Sequence, residues 1–120
     1  MTKCAAIQMA SSPTVSYNLL EAEKLIAEAA KAGAKLIALP ENFAIMGDHE
    51  TDKLKVKEVE GIGSIQDFLS GTAKKYGVWL VAGTMPIVGD DENKVRAACL
   101  VYNDLGEKVA RYDKIHLFDV

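Results

Sequence analysis

Apolar and polar positions alternate between two periods along this chain, and the alternation predicts its elements. Residues 3 to 9, KCAAIQM, form a short apolar run that predicts a first strand. SSPTVSYN interrupts it. From about Ser16 to Ala32 the apolar positions Leu19, Ala22, Leu25, Ile26, Ala29 and Ala30 recur at helical spacing, one stripe on one face. Asn18 with Glu21 suggests a capping box, with Ser16 competing for the cap, and Gly33 is the expected left-handed stop. Lys35 to Leu39 then read as a buried strand that ends at Pro40. Residues 48 to 60, DHETDKLKVKEVE, are charge-rich and predict an exposed excursion. A second helix is expected from Ser64, with Ser64 to Asp67 as its capping box. Its face carries Ile65, Phe68, Leu69, Thr72, Ala73 and Tyr76, and Gly77 ends it. VWLVAGT, residues 78 to 84, is the third strand.

The order so far is β-α-β-α-β, which predicts parallel strands joined by right-handed crossovers. The remainder differs. GDDENK reads as a turn, VRAACLVYN as a strand, DLG as a tight turn and EKVARYD as another strand. So short a connection allows only an antiparallel hairpin between the last two. The expectation is an α/β fold: a mixed sheet with helices on one face. No repeat, linker or low-complexity tract divides residues 1 to 120, which read as one unit.

Composition narrows the class without identifying it. A net charge of −3 supplies no basic stripe, so no nucleic-acid partner is expected. No apolar run approaches the ~20 residues a membrane-crossing helix needs, and MTKCAAIQMA is too brief for a signal-peptide core. No membrane partner is expected, and the expected location is the cytoplasm. Cys4 and Cys99 lie inside strand-like apolar runs, so both are expected to be buried, reduced and unreactive. Neither has a second ligand at metal-site spacing, and His49 and His116 do not form a pair; no metal and no cofactor is expected. GIGSIQ, residues 61 to 66, begins like a dinucleotide loop but lacks the final glycine and the preceding apolar strand.

Two segments remain that could carry chemistry: Pro40-Glu41-Asn42-Phe43, and Tyr112-Asp113-Lys114-Ile115-His116-Leu117-Phe118. Taken alone, Glu41 is either a solvated loop acid or a base at the mouth of the core, and Lys114 either an exposed cation or part of a site. Both fall just past strands, where open α/β sheets gather their sites.

NLLEAEKLIAEAAKAGAKLIALPENF, YGVWLVAGTMP and GEKVARYDKIHLFDV together resemble the nitrilase superfamily of carbon–nitrogen hydrolases, in its ω-amidase-like and deaminated-glutathione-amidase-like branch. The resemblance spans essentially the whole chain and implies the N-terminal part of a four-layer αββα sandwich that pairs into homodimers or higher homo-oligomers. It implies Glu41 as general base and Lys114 as stabiliser of the tetrahedral intermediate. It also places the cysteine nucleophile and a second glutamate downstream of the lysine block, beyond Val120, so that neither Cys4 nor Cys99 is the nucleophile. The implied activity is hydrolysis of a small, carboxylate-bearing amide through a cysteine acyl-enzyme, releasing ammonia. The 120 residues alone are expected to be inactive. The rival expectation is a non-catalytic binding or assembly protein on the same fold.

Overall fold

The computed structural model describes residues 2–46, 52–89 and 95–114, with the Leu54 side chain excepted; His49, His116 and most of the GDDENK turn lie outside these. Five strands form one sheet in the order β1-β2-β3-β4-β5: β1 Lys3–Ala6, β2 Ala34–Leu39, β3 Trp79–Val88, β4 Val95–Tyr102 and β5 Lys108–Asp113. The helices are α1 Val15–Lys31, the short α2 Asp52–Val56, and α3 Ser64–Tyr76. β1, β2 and β3 are parallel, while β4 is antiparallel to both its neighbours. Hence β1, β2, β3 and β5 all point one way. Two right-handed crossovers stepping in the same direction, β1-α1-β2 and β2-α3-β3, put α1 and α3 on the same face of the sheet.

Cross-strand register sorts the side chains between the two faces. Toward the helices point Ile37, Leu80 and Tyr102 in one row and Leu39, Ala82 and Leu100 in the next, all buried. Ala22 and Ile26 of α1 and Ile65, Leu69 and Ala73 of α3 complete this core. The opposite face carries the rows Cys4-Leu36-Trp79 and Ala6-Ala38-Val81-Val101-Ala110, with Cys99 beside Tyr112. No helix covers that face among the described residues. Trp79 is 41% exposed there.

Several expectations need correction. β1 stops at Ala6, although Ile7 still donates its N–H to the Ala38 carbonyl at 2.9 Å. Cys4 is exposed and Cys99 only partly buried, because a short apolar run does not reveal which of its alternating side chains face the core. Asn18 caps nothing. It is buried, with its amide bonded to Ser12 and to the Ala44 carbonyl, and the N-cap of α1 is Thr14, which makes no side-chain cap bond.

The charged segment does not end as an exposed excursion either. Glu58 is buried, and its backbone pairs with β3, donating to Pro86 O at 3.1 Å and accepting from Val88 N at 2.9 Å. This pairing lies beyond the last β2–β3 partners, Leu39 and Ala82. Pro86 O faces the Glu58 side, so the missing Pro86 N–H costs no bond to β4. That lets β3 run on to Val88, past the expected end at residue 84.

Candidate active site

The sheet's directions decide where the candidate residues fall. Because β2 and β5 run the same way, Glu41, just past β2, and Lys114, just past β5, emerge at the same edge. Three strand spacings, about 14 Å, still separate β2 from β5. The turn after β2 closes that gap by crossing over β3. A β-carbon at Gly83 would overlap the carbonyl oxygens of Leu39 and Pro40, so the turn lies directly on the glycine. Asn42 follows with φ of 57°, the one non-glycine residue in the left-handed region among those described. Its N–H donates to Thr84 Oγ1 at 3.1 Å. Gly83 and Thr84 fall in the interval where β3 slips register against β4, a bulge of the kind that re-aims side chains beside sites.

A second set of bonds holds the turn's far end. Met46 donates its N–H to Ser12 O at 2.9 Å, and Ser11 Oγ donates to Phe43 O at 3.1 Å. Asn18 Nδ2 donates to Ser12 O at 2.7 Å and to Ala44 O at 2.8 Å. Phe43 and Ala44 are fully buried. The carboxylate thus stands on a turn anchored at both ends.

Lys114 is fixed through its backbone, donating its N–H to Ala97 O at 2.9 Å and so extending the β4–β5 ladder by one residue. β5 is an edge strand, and charge braces it. Arg111 makes two bonds to Asp113, at 2.7 and 3.1 Å, and pairs with Glu60 at 3.2 Å; Lys108 reaches Glu60 at 2.7 Å. The Lys108 bond, before the neighbouring charges, holds the Glu60 carboxyl below its ordinary range.

The outcome is a direct contact across 73 positions: Lys114 Nζ donates to Glu41 Oε1 at 2.7 Å. Both residues singled out from the sequence are therefore brought together. The Glu41 side chain is 53% exposed and that of Lys114 31%, so the described residues wall the pair on one side only. A poorly solvated pocket, the setting expected for a base, is not formed by them alone.

The cysteines lie elsewhere in the sheet. Cys4 pairs with Leu36, roughly five residues and about 15 Å upstream of Glu41 along the strand direction. Cys99 sits on the same open face opposite Tyr112, and burial pushes its thiol up, away from the reactive thiolate.

The GIGSIQ segment proves to be the start of α3, and its helix terminus is already filled. Glu58 accepts from Ile65 N at 2.7 Å and Gln66 N at 3.1 Å, and Gln66 Oε1 accepts from Gly61 N at 2.7 Å. The capping box expected from Ser64 is absent; Gly63 is the N-cap, and a β-carbon there would overlap the Glu58 carboxyl. A hollow of about 230 Å³ beside this turn includes neither Glu41 nor Lys114. Tyr102 borders it; burial, then the charges of Glu58, Asp67 and Glu60, pushes its hydroxyl up to about 12, so it stays protonated.

Gly83 and Thr84 were not singled out from the sequence, and Asn42 only as a neighbour of Glu41. The available signal was a glycine inside a strand pattern, which marks a bulge or a close backbone approach.

Known proteins resemble this chain in sequence and in fold. The chain is 41% identical over 118 residues to a deaminated glutathione amidase from Synechocystis, covering 97% of this chain and 42% of that protein. It is 36% identical over 119 residues to an omega-amidase from Xenopus laevis, covering 98% and 41%. Among solved structures, a branch 10 member of the nitrilase superfamily from Saccharomyces cerevisiae superposes with a TM-score of 0.83 at 29% identity, covering 96% of this chain and 44% of that one. The chain thus spans about two-fifths of the length of the relatives it matches. The family model for carbon-nitrogen hydrolases matches residues 3–120, and the chain belongs to that family.

Proposed function

We propose that this chain supplies the general base and the oxyanion-stabilising cation of an amidase that cleaves small, carboxylate-bearing amides. The observation that carries the proposal is the 2.7 Å contact between Lys114 Nζ and Glu41 Oε1 at the carboxyl edge of the sheet. Relatives named as amidases support it. Glu41 takes the proton of a cysteine thiol supplied from outside these 120 residues as the sulfur adds to the amide carbon. The carbonyl electrons move onto oxygen, and the Lys114 ammonium stabilises the charge that develops there. On collapse, Glu41 returns the proton to the leaving nitrogen and ammonia departs. Water then attacks the thioester, with Glu41 again accepting a proton; the C–S bond breaks, the acid product leaves and Glu41 returns the proton to the sulfur. The two side chains suit this work because each charge offsets the other's desolvation when the pocket closes.

The rival reading, a non-catalytic binding or assembly protein, draws on the exposure of Glu41 and on the expectation that neither Cys4 nor Cys99 is the nucleophile. One experiment decides between them: ammonia release by the whole protein from ω-monoamides of four- and five-carbon dicarboxylic acids. Activity is expected, and Glu41→Gln lowers kcat by about 10²–10⁴-fold. The melting temperature of that variant changes little, since exposed ion pairs typically contribute under about 1 kcal/mol. Near-normal turnover by Glu41→Gln would remove Glu41 from the mechanism, and no turnover by the parent protein would favour the rival.

A further inference from the structure

Glu41 reaches Lys114 only because the turn after β2 crosses β3, and two features of β3 make that crossing. Gly83 leaves the space into which the Leu39 and Pro40 carbonyls descend. Thr84, 8% exposed, accepts the Asn42 N–H and thereby fixes the residue immediately after the carboxylate. We propose that Thr84 is a positioning residue for the base: its hydroxyl oxygen holds the Asn42 amide, and so holds Glu41 within reach of Lys114. The inference rests on the assignment of Glu41 as base.

Three details favour this role over simple strand packing. The acceptor is a side chain, placed just past the last β2–β3 backbone partners, Leu39 and Ala82. The amide it binds belongs to Asn42 at φ of 57°, a left-handed conformation that asparagine tolerates better than most residues and that the bond to Thr84 fixes in this turn. The turn's other anchors, on Phe43, Ala44 and Met46, lie further downstream of Glu41 than the Asn42 amide that Thr84 holds. A displacement of about 1 Å in a reacting group can cost on the order of 10²-fold in rate.

The test compares Thr84→Val, Thr84→Ser and Glu41→Gln in the whole protein, with ammonia release from the same ω-monoamides. Valine keeps the volume and β-branching but removes the acceptor; serine restores it. Thr84→Val is expected to lower kcat by roughly 10- to 100-fold with KM nearly unchanged, and Thr84→Ser to return kcat to within a few-fold of the parent. If valine does not fold, Thr84→Ala takes its place in the same comparison. A kcat unchanged by loss of the hydroxyl, in a protein that Glu41→Gln disables, overturns the positioning role while leaving the base in place. A loss that serine does not rescue, or one that appears in KM, also overturns it. Full activity in Glu41→Gln removes the base and the inference with it.

Discussion

At Gly83 two stretches of backbone lie closer than any side chain allows. An added methyl there meets carbonyl oxygens of Leu39 and Pro40, which cannot swing aside as the end of a side chain would. Gly71 offers the contrast. It sits inside α3, and a β-carbon there meets nothing within 4 Å. The same substitution should therefore have opposite signs at the two positions. Gly71→Ala is expected to stabilise by about 0.5–1 kcal/mol, because alanine gives up less backbone freedom in a helix. Gly83→Ala is expected to destabilise by about 1–3 kcal/mol and to lower kcat, because the turn that carries Glu41 is pushed away. Urea unfolding of both variants, with turnover measured in parallel, checks this; equal signs would remove the crossing at Gly83 from the account. Glu41 and Lys114 were legible in the sequence because each lies just past an expected strand, in a block that resembles the nitrilase superfamily. Thr84 was not, since a threonine in a strand is unremarkable until the chain it touches is known.

Among the elements, α3 shows how a helix can be placed correctly and its cap misread. Its span, Ser64–Tyr76, follows from the apolar stripe and from Gly77, whose φ of 62° makes the expected left-handed stop. The cap does not follow, because Glu58 bonds to amides seven and eight positions away, outside the spacing of a local capping box. Glu58 also joins α3 to β3 through its own backbone, so one residue ties helix, turn and strand together. Glu58→Ala leaves the Ile65 and Gln66 amides without their acceptor. A loss of about 1–3 kcal/mol is expected, larger than for Ser64→Ala, whose side chain makes no cap bond. The midpoint of chemical denaturation reads both; a smaller loss at Glu58 than at Ser64 would return the cap to Ser64. Asn18 was misassigned for the same reason. Its partners Ser12 and Ala44 come from two separate loops, and no helical pattern in the sequence predicts that meeting.

For the whole molecule, the sheet's direction was legible and its faces were not. Alternating strands and helices followed by two antiparallel reversals, β3 to β4 and β4 to β5, oblige β5 to run with β2, and that alone brings Glu41 and Lys114 to one edge. The buried and open faces differ only by register, and β1 is too short for its pattern to distinguish them. Among the described residues its outcome is an apolar sheet face under no helix, carrying Cys4, Leu36, Trp79, Val81 and Val101. Contiguous apolar surface of this kind marks an interface or an association hazard. The chain spans about two-fifths of its relatives' length, and a four-layer sandwich would lay a second sheet on this face. Cys4 then becomes a reporter. In the isolated 120 residues a bulky maleimide is expected to label Cys4 quickly and Cys99 more slowly, since Cys99 is half-buried and its thiol is pushed up. The isolated chain is also expected to self-associate in sedimentation and to release no ammonia, because it lacks a nucleophile within reach of Glu41. In the whole protein, Cys4 should be protected while turnover appears. Equal labelling of Cys4 in both would mean that this face stays open, and the second sheet would have to pack elsewhere.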